Sequence, residues 1–219
     1  MTEWNTYNFG PASGGKPAKI VLMLHGVGSN GQDLIGLAPY MARALPDVAF
    51  LSPDAPHAYD MAPFGRQWFS LQEYTQEAML AGIKETVPLL NAYIDDILAE
   101  FGLQDSDLAL LGFSQGTMMS LYTAPRRAKK LAGVLGYSGA LLGGEELIKD
   151  DIQKVPVCLI HGEDDNVLPL NRYHDAKQQL ENAGFIVGGH TVPGLPHSID
   201  DSGIQTGIAF LQEIFYGKK

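Results

Sequence analysis

One cysteine, Cys158, is all the chain has, so no internal disulfide can form. It lies in the apolar run PVCLI, where a thiol reads as a small buried side chain, and it fits a reducing compartment. Long apolar runs are missing too. None approaches the roughly 20 residues of a membrane span. The first residues, MTEWNTYNFG, lack both the basic segment and the apolar stretch of a secretory signal. Positive charge is scarce: 15 Lys and Arg face 25 Asp and Glu, a net charge of −10. That field repels nucleic acid and anionic lipid head groups, so neither nucleic acid nor stable membrane association is expected. The six histidines stand at no metal-ligand spacing with each other or with cysteine, so no metal is expected, and the serine chemistry read below calls for no cofactor. What remains is a soluble cytoplasmic protein. At 219 residues and 45% apolar content, residues 1–219 make one substantial core and are short for two, so a single domain is expected.

Along the chain, short apolar runs alternate with helical periodicity. The segment up to residue 16 has room for one edge strand. Residues 19–24 (KIVLML) read as a strand covered on both faces. A helix follows, with Asn30 or Asp33 as its cap and Leu34, Leu37, Ala38, Met41 and Leu45 on one face. Residues 48–51 make a second strand. Residues 54–74 are a long irregular segment rich in large side chains, among them Tyr59, Phe64, Trp68 and Phe69; a loop that long is usually functional. Helical spacing returns from Met79 to Phe101 and stops at Gly102, with Pro88 predicting a kink or two helices. Strands are expected at 131–137, 155–160 and 185–192, and helices at 171–184 and 199–215. The last opens with Ser198 and Asp201 in capping-box spacing. Residues 142–154 read as a charged surface excursion. Such alternation means an α/β fold: a mostly parallel central sheet with helices on both faces. In such sheets ligands sit outside the carboxyl ends of the strands.

The stretch DLALLGFSQGTMMSLY, residues 107–122, organises the rest. It holds a G-x-S-x-G pattern between an apolar strand and a helical segment, the context that gives the pattern chemical meaning. Reversing a strand into a helix so tightly strains the central residue, and the flanking glycines let the two elements approach. Ser114 is thereby held at the tip of the turn beside a helix N-terminus, which favours developing negative charge.

A serine hydroxyl needs a base, and the base needs an orienting acid. In this chain order the acid and then the histidine should follow the serine. His197 lies in the loop after the last strand. His190 lies inside that strand, His25 and His161 precede glycines at strand ends and suit backbone hydrogen bonds, and His57 and His174 have no supporting context. Glu163, Asp164 and Asp165 compete as the acid, and spacing does not choose among them. The oxyanion formed at an attacked carbonyl needs donors, which the backbone N–H groups of Gln115 and of Val27 in HGVG would supply.

These residues resemble the carboxylesterase/phospholipase and acyl-protein thioesterase family of α/β-hydrolases. The resemblance runs over most of the chain through HGVGSNG (25–31), GRQWF (65–69), GFSQGTMMSLY (112–122), YSGAL (137–141), HGEDDNVLP (161–169) and PHS (196–198). It implies an α/β-hydrolase fold with Ser114 as nucleophile, Asp165 as acid, His197 as base, and Val27 and Gln115 as oxyanion donors. It also implies that Trp68 and Phe69 line an acyl pocket. Leu168 counts with them as substrate-binding and stands where the family usually has valine. Two other departures are Pro196, where glycine usually precedes the histidine, and Thr117, where the thioesterases often carry glycine. GRQWFSL looks more like the bacterial carboxylesterase branch. The implied activity is a serine carboxylesterase acting on a small acyl ester through an acyl-enzyme. The alternatives are an acyl-protein thioesterase or lysophospholipase of the same mechanism, or, remotely, a non-catalytic binding protein. Members of the family are often dimers, so a homodimer is a partner to test for.

Overall fold

The computed structural model describes residues 4–148 and 152–217. In chain order its strands are β1 (Thr6–Phe9), β2 (Lys19–Leu24), β3 (Val48–Pro53), β4 (His57–Ala58), β5 (Arg66–Gln67), β6 (Leu108–Phe113), β7 (Gly133–Tyr137), β8 (Val157–Gly162) and β9 (Val187–Val192). Its α-helices are α1 (Gly31–Leu34), α2 (Ala38–Ala42), α3 (Gln76–Phe101), α4 (Gln115–Thr123), α5 (Asn171–Asn182) and α6 (Asp201–Tyr216). Seven strands form one sheet in the order β1-β3-β2-β6-β7-β8-β9, and β4 pairs with β5 apart from it. Only β1 runs antiparallel to its neighbour in the large sheet.

Period-two alternation sorts each central strand between two cores. Ile20, Leu22 and Leu24 of β2 join Leu108 and Leu110 of β6 under α3, α4 and α5. Val21, Met23, Ala109 and Leu111 face the other way, against α1, α2 and α6. Central strands buried on both faces are what the near-continuous apolar runs predict, since each buried Leu or Ile side chain contributes roughly 1.5–3 kcal/mol. Among the described residues no helix is long and apolar enough to cross a membrane.

Several elements differ from the sequence expectation. Of the two outcomes expected at Pro88, division into two helices does not occur: α3 runs unbroken from Gln76 to Phe101. A proline costs a helix interior about 3 kcal/mol, but Ile83, Val87, Leu90 and Ile94 bury around it and outweigh that cost. The helix expected to reach Leu45 is instead α1, a 3-10 turn (Ile35–Leu37) and α2, because Pro39 at the start of α2 has no N–H to extend a continuous ladder. Asn30, not Asp33, is its cap, accepting from Asp33 N at 2.9 Å. At α6 the cap is Asp200, accepting from Gly203 N at 2.8 Å, rather than Ser198. Residues 54–74 are not wholly irregular, since β4 and β5 make a small hairpin there. The 142–154 segment is partly core: Leu142 and Leu147 are buried beside a 3-10 turn (Gly144–Ile148), while 149–151 lie outside the described residues.

Candidate active site

Four loops at the carboxyl ends of parallel strands meet in one place. Between β6 and α4 the chain turns at Ser114, whose backbone stands at φ 53° and ψ −115°. A non-glycine residue there is strained, and the surroundings hold it. Ser114 N–H donates to Tyr137 O at 3.0 Å on the neighbouring strand. Gly116 must lack a side chain, because a Cβ would stand 1.8 Å from Leu24 O of β2. The loop after β2 reaches the serine itself: a Cβ on Gly26 would stand 3.3 Å from Ser114 Cβ. Ser114 is nearly buried, at 6% exposure.

The acid and the histidine are joined. His197 Nδ1 is 2.7 Å from Asp165 Oδ2, in the loops after β9 and β8. Two backbone bonds tie those loops together, Glu163 N to Val192 O at 3.0 Å and Asp164 N to Leu195 O at 3.1 Å. Asp165 Oδ1 accepts from Val167 N at 2.9 Å and Leu168 N at 2.8 Å. Burial alone would raise the Asp165 carboxyl, but the bonds from His197 and from the Leu168 and Val167 amides outweigh it and hold it below the usual carboxylate range. An ionised Asp165 can only accept, so Nδ1 of His197 is the donor of this bond. The His197 ring lies 4.9 Å from that of Phe113, centroid to centroid, next to Ser114 in sequence. Among the described residues Ser114 Oγ makes no hydrogen bond with His197. Such contacts are often long without substrate.

Of the three acids that spacing left open, Glu163 and Asp164 are exposed and only Asp165 meets His197. The N–H groups of Val27 and Gln115 have no hydrogen-bond partner among the described residues. Trp68, Phe69 and Leu168 are all buried, and Phe69 also lines a surface cavity of about 550 Å³ together with Gln67, Ser70 and Thr86. Trp68 exposes no surface, Phe69 exposes 2% and Leu168 4%, all within one core cluster. His161, which the sequence suited to backbone bonding, has Nε2 2.7 Å from Leu168 O and 3.4 Å from Asp165 Oδ2, so it braces the acid loop. His25 accepts from Ala55 N at Nε2 and is buried, so burial lowers its pKa and keeps it neutral. The part the sequence did not disclose is the Gln115 side chain, which binds the backbone of Trp68 and Phe69. Among the described residues no group of three or more His, Cys, Asp or Glu is placed to hold a metal.

Comparison with known proteins adds the family. The sequence profile of the Phospholipase/Carboxylesterase family matches residues 10–215. The chain belongs to the phospholipase/carboxylesterase family. Its membership makes it a carboxylic ester hydrolase with an α/β-hydrolase fold. Among relatives, Esterase YpfH of Escherichia coli is 28% identical over 198 residues, 90% of this chain and 84% of that protein. Acyl-protein thioesterase 1 of Kluyveromyces lactis is 29% identical over 187 residues, 78% of this chain and 80% of that protein. The crystal structure of esterase PE8 is 37% identical and superposes with a TM-score of 0.91, over 97% of this chain and 99% of that one.

Proposed function

We propose that this member of the phospholipase/carboxylesterase family is a serine carboxylesterase of small acyl esters, working through an acyl-enzyme. Ser114 Oγ attacks the ester carbonyl while His197 Nε2 takes its proton. The oxyanion is stabilised by the N–H groups of Val27 and Gln115, each worth about 3–4 kcal/mol to the transition state. His197 then gives the proton to the departing alcohol. Water, deprotonated by the same nitrogen, releases the acid from Ser114. Asp165 keeps the imidazole in the required tautomer and stabilises its positive charge. The observation that carries this reading is the 2.7 Å bond from His197 Nδ1 to a buried Asp165, with the His197 ring 4.9 Å from that of Phe113, the residue before a serine strained into a strand–helix turn.

Relatives named acyl-protein thioesterase support a second reading, in which the acyl group is long and held as a thioester. A long chain needs an open groove, and Trp68, with no exposed surface, walls none. That supports a short acyl group. The single, buried cysteine supports placing the protein in the cytoplasm.

The test is hydrolysis of p-nitrophenyl esters from acetate to palmitate by wild type and by Ser114→Ala. Turnover that peaks at short chains and vanishes in the variant supports the proposal. A peak at long chains moves the assignment to a thioesterase or lysophospholipase. Turnover that survives Ser114→Ala removes the serine from the mechanism.

A further inference from the structure

Residues 66–69 touch both loops that carry the free N–H groups. On the β2 side, Gly28 N donates to Arg66 O and Arg66 N donates to Ser29 O, both at 2.8 Å. The indole Nε1–H of Trp68 donates to His25 O at 2.9 Å. The Gly26–Val27 peptide is thus bracketed by bonds to one short segment. The crossing is close enough that a Cβ on Gly65 would stand 2.2 Å from Gly28 O. On the α4 side, Trp68 N donates to Gln115 Oε1 and Gln115 Nε2 donates to Phe69 O, both at 2.8 Å. The segment is anchored outward as well. Thr86 Oγ1 of α3 donates to Trp68 O at 2.7 Å, and Arg66 Nε and Nη2 reach the carbonyls of Ala55 and Pro56, each at 2.8 Å.

We propose that residues 66–69 form a strap that fixes the distance between the Val27 and Gln115 N–H groups, with the Gln115 carboxamide as its cross-link. The proposal rests on the serine-esterase reading above. A backbone N–H needs no particular side chain to donate, so oxyanion binding alone does not require glutamine at position 115. Its buried carboxamide instead accepts from one peptide of the strap and donates to the next, which a hydrocarbon of equal length cannot do. Trp68 contributes three bonds to three different elements, through its N–H, its carbonyl and its indole N–H. Arg66, Trp68 and the Gln115 side chain are therefore positioning residues. A donor displaced by about 1 Å can cost on the order of 100-fold in rate, so small movements of the strap are felt at the carbonyl.

The experiment compares Gln115→Met and Trp68→Phe with wild type on the p-nitrophenyl ester it turns over fastest. Gln115→Met keeps the length of the side chain and removes both of its hydrogen bonds, and Trp68→Phe keeps an aromatic ring and removes the indole N–H bond to His25 O. Three quantities are read: kcat, KM, and inhibition by a trifluoromethyl ketone of the same chain length, whose adduct carries the oxyanion. Gln115→Met should lose about 10- to 100-fold in kcat, with KM unchanged and inhibition weakened by the same factor. Trp68→Phe should lose about tenfold in the same pattern. Arg66→Met, at the half-buried end of the strap, repeats the test if either core variant does not fold, with a loss of about tenfold expected. Folded variants with wild-type kcat, or with reduced kcat and undiminished ketone affinity, overturn the strap. Wild-type turnover that does not depend on Ser114 instead overturns the parent reading, so the two failures are distinguishable.

Discussion

Asp165 and His197, separated by 32 residues of sequence, meet at 2.7 Å, and each arrives on a loop bonded to the other's backbone. The Asp165 carboxylate spends its second oxygen on the amides of Val167 and Leu168. Its orientation is thus fixed before any substrate arrives.

Asp165→Asn should fold and should lose on the order of 10⁴ in kcat, because an amide at that position favours the wrong tautomer of His197. Asp164→Asn, on an exposed neighbour, should leave kcat unchanged. Measuring both constants beside a urea midpoint checks the assignment. If Asp164→Asn is the damaging change, Asp165 is not the acid.

Trp68→Ala should destabilise the protein by about 3–5 kcal/mol, the range for emptying a buried aromatic site. Trp68 has no exposed surface, and its loss also leaves His25 O without its donor. A urea melt decides: a normal midpoint accompanied by a change in acyl-length preference would return Trp68 to the acyl pocket that the family resemblance implied.

Acid should weaken the fold before any carboxylate of the site titrates. Burial lowers His25 and His161 below their ordinary 6.5, against the opposing pull of the backbone carbonyls they meet. The unfolded chain then binds more protons below about 6.5, so stability falls as pH drops through that value and levels off below the folded-state values. The slope is about 1.4 kcal/mol per pH unit for each proton. Asp165 acts in a lower window. Its depressed value gives stability that is present above 3.8 and lost as pH falls through the folded-state value. Urea midpoints at about pH 7.5 and about 5.5 test the histidines. His25→Gln should flatten the dependence, and equal wild-type midpoints would mean that neither ring is held neutral.

Burial pushes the Cys158 thiol up to about 12, so it should not react with a disulfide reagent in the native protein and should react fully in urea. Esterase turnover should survive iodoacetamide. Rapid native labelling with loss of turnover would contradict both the burial and a serine mechanism.

Much of this architecture is legible in the sequence because its strands are buried on both faces and its helices on one. The runs KIVLML and LALLGF could hardly be anything but central strands. The order of Ser114, Asp165 and His197 follows from the fold, though three acids in a row concealed which one turns inward. Tertiary packing hid the rest. Pro88 reads as a break because local cost is visible in a sequence, whereas the core that offsets it is not. Trp68 reads as a pocket wall although it is fully buried, because a loop of large side chains looks the same whether it faces a ligand or the core. The Gln115 carboxamide had no signal of its own, since its partners are backbone groups 46 and 47 residues away.

The positive φ of Ser114 sets abundance against turnover. Strain of that kind costs on the order of 1–3 kcal/mol, and glycine at 114 would relieve it. In a screen that rewards yield of folded protein and ignores hydrolysis, Ser114→Gly should therefore rank among the winners while removing the hydroxyl proposed as the nucleophile. Engineering for expression level alone would then remove the proposed nucleophile, so any such selection needs an ester in the medium.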